Sequence, residues 1–222
     1  MTVLDDEVAA SGAAAIRTVP GADEGAPAGA RIGPNAVLQL VPVLEARFAA
    51  DEVAALFESA DCVGWLSAPP AEMVDERPVA RLHQALRRRH PTDAPALAAA
   101  AGRGTGAYIL AHRIPKPAQS VLKALPAPLA SRMLLSAIAR HAWTFAGSGR
   151  FAATPGRPAI VEIADNPVVA GEHAAGPVCH WHAGVFETLF RTLVHPRSRA
   201  RETACCAAGA PACRFEIDWR RP

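Results

Sequence analysis

The end of the chain constrains its fold most. Cys213, Phe215, Ile217 and Trp219 alternate with Arg214, Glu216, Asp218 and Arg220, the period of two that a strand shows with one buried and one wet face. A strand of this kind needs neighbours, and two upstream segments supply them. Ala159 to Ala164, ended by Asp165-Asn166-Pro167, reads as β, and Arg199 to Thr203 reads as a further strand. Between these two, Cys179 to Val194 carries Val185, Phe186, Leu189, Phe190 and Leu193 at helical spacing.

Upstream the period is helical. Gly33-Pro34 stops the incoming chain and suits a first helical turn. Val37, Leu40, Val41, Leu44 and Phe48 then form one apolar stripe that predicts a helix of about four turns. A second helix is expected from Asp51 to Ser59, a loop at Pro69-Pro70, and a third helix from Pro78 to Arg89 with Val79, Leu82 and Leu86 inward. Its end, Arg87-Arg88-Arg89-His90, reads as a solvated basic helix terminus favoured by the macrodipole; docking of an acidic partner is the lesser alternative. Ala94 to Ile114 reads as helical on either side of its glycines and is ended by Pro115 and Pro117, and Leu122 and Leu125 belong to a short helix. Leu129 to Phe145 is nearly apolar all round, so it is either core or the wall of an apolar pocket. This order of elements predicts an α+β fold with a helical N-terminal half and helices packed on a small antiparallel β-sheet.

Half of the 222 residues are hydrophobic, but 50 of them are Ala and only 5% of the chain is aromatic. A core remains feasible, since a chain of this length buries roughly 70% of its unfolded surface. A net charge of +2 argues against nucleic acid as a partner. With no run of about 18 uninterrupted apolar residues, no membrane-spanning helix is expected. Residues 1–30 carry five acids against Arg17 and no aromatic side chain, which predicts a disordered tail. The acids Asp5, Asp6 and Glu7 stand where an export signal needs positive charge, so a cytoplasmic protein with one domain over 31–222 is expected.

The chemistry lies in the cysteines. Five Cys in an unexported chain point to reduced thiols used for metal binding or packing. Cys205 and Cys213 flank a Gly- and Pro-containing loop that can fold back on itself, and with Cys179 they can converge as tetrahedral zinc requires. Glu202 can complete a Cys₃Glu set; His182, one helical turn from Cys179, and Cys206 compete for the fourth place. Residues three apart on a regular strand face opposite ways, so Glu202 and Cys205 can share an ion only if the strand ends or bulges near Thr203. The competing reading is three small buried hydrophobes that happen to be cysteines.

Cys179, then Glu202-x-x-Cys205, then Cys213-x-Phe215 resembles the signature of the vinyl-4-reductase domain family. Four further blocks resemble that family's bacteriochlorophyll-biosynthesis branch, whose members carry the name of vinyl reductase: Arg31 to Val37, Tyr108 to Pro117, His141 to Gly149, and Cys179-His-Trp-His182. The resemblance covers about Arg31 to Trp219. It implies zinc held by Cys179, Glu202, Cys205 and Cys213. Four protein ligands leave no open coordination position, so that zinc would be structural and staple the C-terminal part together.

The pathway implied is bacteriochlorophyll (chlorophyll) biosynthesis in photosynthesis, and the ligand implied is a tetrapyrrole, a magnesium porphyrin or protochlorophyllide. Tyr108, Ile109, Leu122, Met133, Leu134, Ile138, Trp143 and Phe145 are its expected walls. His112, His141, His180 and His182 are the candidates for an axial ligand, and Arg113, Lys116 and Arg140 for propionate partners. A vinyl reduction needs a reductant. Gly102-Arg-Gly-Thr-Gly106 follows an Ala-rich helical run, not a strand, and is not a dinucleotide fingerprint; nor is there a four-cysteine iron–sulfur pattern. A non-catalytic carrier or assembly factor is therefore favoured over a vinyl reductase with an external reductant, and over a small-molecule sensor. The expected partners are pathway enzymes such as magnesium chelatase or the methyltransferase that follows it, and a second copy of the chain, because relatives often pair.

Overall fold

The alternating C-terminal segment is the second-last strand of a five-stranded antiparallel sheet. The computed structural model describes residues 16–17 and 29–219. In chain order its elements are β1 (Ile16–Arg17), β2 (Arg31–Ile32), α1 (Asn35–Leu38), α2 (Val41–Glu45), α3 (Ala50–Glu58), α4 (Gly64–Ser67), β3 (Val74–Asp75), α5 (Glu76–Arg89), α6 (Ala94–His112), α7 (Lys116–Ala124), α8 (Ala127–Arg140), α9 (Trp143–Ala146), β4 (Arg150–Thr154), β5 (Ala159–Ala164), α10 (His180–Leu193), β6 (Arg199–Ala204) and β7 (Ala212–Asp218). The main sheet runs β1-β4-β5-β7-β6, and β2 pairs with β3 in a separate ribbon. A helical N-terminal half and helices on a small antiparallel sheet are what the periodicities predict.

On β7 the expected alternation holds: Cys213, Phe215 and Ile217 are buried and their neighbours are half-buried. α10 packs against this face of the sheet on one side and along α6 on the other. The contact with α6 explains the glycines. A Cβ at Gly102 would sit 2.1 Å from the Trp181 carbonyl oxygen, and one at Gly184 would sit 2.5 Å from that of Ala99. These positions need Gly for close backbone approach, so α6 runs unbroken through a stretch that sequence reading divides.

Other elements also differ from expectation. The single helix expected over 34–48 is two short ones. Pro42 falls in the first turn of α2 and has no amide hydrogen for the carbonyl four residues back, so the helix restarts at Leu40. The segment from Leu129 to Phe145 divides into α8 and α9, and α8 is not covered all round, since Leu129 and Met133 are 53% and 49% exposed. Strand β4 went unread because Phe151 and Ala153, its buried residues, give too weak an alternation. Of the stretch expected to be a disordered tail, Ile16–Arg17 pairs with Ala153 and Ala152 at the sheet edge; except for residues 29–30, the remainder lies outside the described residues.

Candidate metal centre and the cleft beside it

β6 bulges where sharing of one site by Glu202 and Cys205 requires it. Its register against β7 shifts between Glu202, opposite Phe215, and Ala204, opposite Arg214. The extra residue, Thr203, resets the side-chain phase, so the Glu202 side chain and that of Cys205 reach the same site. A turn at Cys206–Ala208, closed by Gly209 in a left-handed conformation (φ 84°), returns the chain into β7 and delivers Cys213. Cys179 arrives from the start of α10, where its backbone N–H donates to Glu202 Oε2 at 2.6 Å.

The four donors converge. Cys179 Sγ lies 3.9 Å from Cys205 Sγ and 3.5 Å from Cys213 Sγ, and the latter two are 3.7 Å apart. Sulfurs bound at about 2.3 Å around a tetrahedral ion would stand about 3.8 Å from one another, so the triangle has the size that such an ion requires. One ligand atom from each of the four residues lies within 4.8 Å of all the others, and all four residues are buried. Glu202 Oε1 is buried without a hydrogen-bond partner, which is the atom a cation would satisfy. Outer donors support the sulfurs: Asn166 Nδ2 donates to Cys179 Sγ at 3.5 Å, and the Cys206 backbone N–H donates to Cys213 Sγ at 3.4 Å. This buried Cys₃Glu cluster can hold a metal ion.

Without a cation these groups cannot all ionise. Hydrogen bonds from Cys179 and Cys213 hold the Cys205 thiol far below its ordinary range. Sharing hydrogen bonds with that thiolate, and burial, push Cys179 up. Burial raises Glu202 to about 8. Thiols and a carboxyl packed this closely oppose one another's ionisation, and a bound cation would relieve that opposition.

The rivals for the fourth ligand face elsewhere. His182 lies among Phe145, Trp181, Phe186 and Phe215, where burial drives its pKa down to about 3. Cys206 Sγ points to the Ile163 carbonyl at 3.8 Å.

The expected ligand contacts do not surround one cavity. Tyr108 packs its ring on His112, an exposed residue like Arg113 and His141. Met133 and Trp143 are exposed, at 49% and 60%. Ile138 and His182 are buried in the core. Only His180 lines the cleft of about 330 Å³ that opens between α5, α6 and the loop before α10. Leu86, Ala94, Pro95, Ala98, Pro177 and Val178 form its apolar lining, and Arg88, His173 and His180 bring polar side chains beside His83 and the paired Arg87 and Glu172. Sequence reading missed this cleft, although the run Arg87-Arg88-Arg89-His90 was its signal. Three of those four residues are engaged internally: Arg87 Nε donates to Glu172 at 2.8 Å, while Arg89 and His90 meet Glu52 at 3.1 and 2.8 Å. The side chain of Arg88 has no ion pair among the described residues.

The vinyl-4-reductase domain model matches residues 159–218, the segment that carries all four cluster residues. The chain is 55% identical over 187 residues to the "Bacteriochlorophyll synthase 23 kDa chain" of Cereibacter sphaeroides, covering 84% of this chain and 90% of that protein. It is 41% identical over 187 residues to the protein of the same name from Rhodobacter capsulatus, covering 84% and 86%. Among solved structures, an H-NOX protein mutant from K. algicida aligns at TM-score 0.56 with 13% identity over 86% of this chain and 97% of that one. A Cs H-NOX mutant aligns at 0.52 with 13% identity, over 86% and 98%. These two likenesses concern the fold. By sequence and by domain, the chain belongs to the family of the bacteriochlorophyll synthase 23 kDa chain.

Proposed function

We propose that this protein is a non-catalytic carrier of a tetrapyrrole intermediate in bacteriochlorophyll biosynthesis, built on a C-terminal frame closed by zinc. The relatives' name supports the pathway. The donor set supports the metal's role: three thiolates and a carboxylate fill a tetrahedral shell and leave no position for a substrate, so the ion stabilises rather than reacts. Zinc fits a sulfur-rich tetrahedral site better than harder cations do.

The observation that carries the carrier reading is the cleft between α5 and α6. Its apolar lining meets the side chains of Arg88, His173 and His180, while the one lining carboxylate, Glu172, is taken up by Arg87, an arrangement suited to a flat apolar molecule with acidic substituents. At about 330 Å³ the cleft is at the small end for ligand sites. It would take one propionate-bearing edge of the macrocycle and leave the rest accessible to a pathway enzyme, such as magnesium chelatase or the methyltransferase after it. Arg88 would pair with the propionate and His180 would face the ring.

The test is titration of the purified protein with a magnesium porphyrin and with divinyl protochlorophyllide, with and without NADPH. A Soret shift without product, weakened about tenfold by Arg88→Ala, supports the carrier. A monovinyl product would replace it with a vinyl reductase.

A further inference from the structure

From Ala94 to Val161 the chain has no acidic residue in 68 positions, against eight Arg and Lys. In folded space the consequence is local. The side chains of Arg113, Lys116, Lys123, Arg132 and Arg140 make no ion pair among the described residues, whereas Arg47, Arg77, Arg81, Arg87 and Arg89 each have an acidic partner. These five cations belong to α7, α8 and the turn before them, although Arg88, Arg103, Arg197 and Arg201 elsewhere also lack an ion pair among the described residues. The same segment holds four of the five large hydrophobic side chains that are exposed among the described residues: Val121 on α7, Leu129 and Met133 on α8, and Trp143 at the start of α9.

On α8 these two properties share one face. Leu129, Arg132, Met133 and Arg140 recur at helical spacing and are exposed, while Ala130, Leu134, Leu135 and Ile138 face the core. The outer face therefore mixes apolar side chains with unpaired cations, and α8 itself carries no acid. The helix is amphipathic toward the core and basic-apolar toward the outside, the composition of surfaces that lie on anionic bilayers. Trp143, 60% exposed, adds the residue type enriched at the membrane–water boundary. No helix among the described residues is long and apolar enough to cross a membrane, so contact would be peripheral.

We propose that the α7–α9 surface docks this protein onto an anionic lipid surface, with Lys116, Lys123, Arg132 and Arg140 at the headgroups and Leu129, Met133 and Trp143 entering the interface. A second copy of this chain suits the face poorly. A two-fold contact would set the same unpaired cations against one another without an acid to separate them. A protein partner would need to supply every counter-charge in a fixed pattern; a fluid anionic bilayer supplies them wherever the cations fall.

The test uses the full chain and vesicles of phosphatidylcholine with or without 30% phosphatidylglycerol, read by flotation. Binding is expected only to the anionic vesicles and is expected to weaken with salt. Each cation near the surface is worth about fivefold, so Lys123→Ala/Arg132→Ala/Arg140→Ala should weaken binding about a hundredfold. Arg197→Ala/Arg201→Ala, which removes two cations outside this surface, should leave it unchanged. Brominated lipid should quench the tryptophan emission of the protein. Trp143→Phe should remove most of that quenching, because Trp181 and Trp219 are buried and Trp65 is half-buried. All substituted side chains are exposed, and circular dichroism is the check that each variant is folded. Failure to float with anionic vesicles, equal flotation with both vesicle types, or a triple variant that leaves vesicle binding intact while dissociating a dimer would each overturn the proposal.

Discussion

The contact of α10 with α6 and the outer surface of α7–α9 obey opposite rules. At α10 the sequence is tuned to distance. Gly102 and Gly184 admit neighbouring backbone at separations that no Cβ tolerates, Trp181 Nε1 donates to Thr105 Oγ1 at 3.2 Å, and the residue that leads into α10, Cys179, belongs to the Cys₃Glu cluster. On α8 the sequence is tuned to composition: Leu129 and Met133 touch solvent, and what characterises the face is the mixture of side chains. Close packing makes single substitutions costly in the first region, whereas the second tolerates them and registers them only as changed affinity.

The largest test of this contrast is removal of the proposed zinc. A structural zinc contributes about 10 kcal/mol, comparable with the whole stability of a domain. Chelation or Cys213→Ser should therefore loosen β6, β7 and the start of α10, read as lost amide protection there and a collapse of the melting temperature. Stoichiometric zinc with unchanged melting after Cys213→Ser would refute the ligand assignment. Next is Gly184→Ala. Its methyl group would meet the Ala99 carbonyl at 2.5 Å, and overpacking of this kind costs about 3 kcal/mol. The expected fall in melting temperature is about 10 °C. A fall of one or two degrees would mean that the helices separate easily.

A smaller effect concerns pH. His83 packs edge-on to Trp181, and burial, helped by Arg87, lowers its pKa to about 4. A depressed histidine favours the fold while neutral, so its contribution is complete above the unfolded value near 6.5 and is lost as pH falls toward 4. Between pH 8 and pH 5 the loss is about 2 kcal/mol. His83→Gln, which can still donate to the Ala36 carbonyl that His83 Nε2 meets at 3.0 Å, should flatten the decline by that amount in denaturant titrations. The smallest effect is on the other side of the comparison: Leu129→Ser and Met133→Ser should change stability by less than about 0.5 kcal/mol. A loss of several kcal/mol would show that this face is covered.

Much of the cluster was legible because its signals are local. Ligand types and spacings are written along the chain, and the objection that Glu202 and Cys205 sit three apart predicts its own solution, a bulge near Thr203. The ligand walls were not legible in the same way. Met133, Trp143, His141 and Arg113 have the right chemistry for a pigment pocket, but periodicity shows which side chains share a face and not what lies opposite that face. The cleft instead joins α5, α6 and the loop from Glu172 to His180, segments brought together where Arg87 ties α5 to Glu172 and to the Val168 carbonyl and Gln84 bonds the Ala170 carbonyl.

Strand alternation in β7, the helical stripes and the identity of four convergent donors are properties of neighbouring residues, so they can be read from order along the chain. Whether Gly102 breaks α6 or lets α10 approach it, where Ile16 finds an edge, and which apolar face stays in solvent depend on contacts across long sequence separations. Those outcomes are set by packing, because a side chain's environment is the sum of what the whole fold places around it.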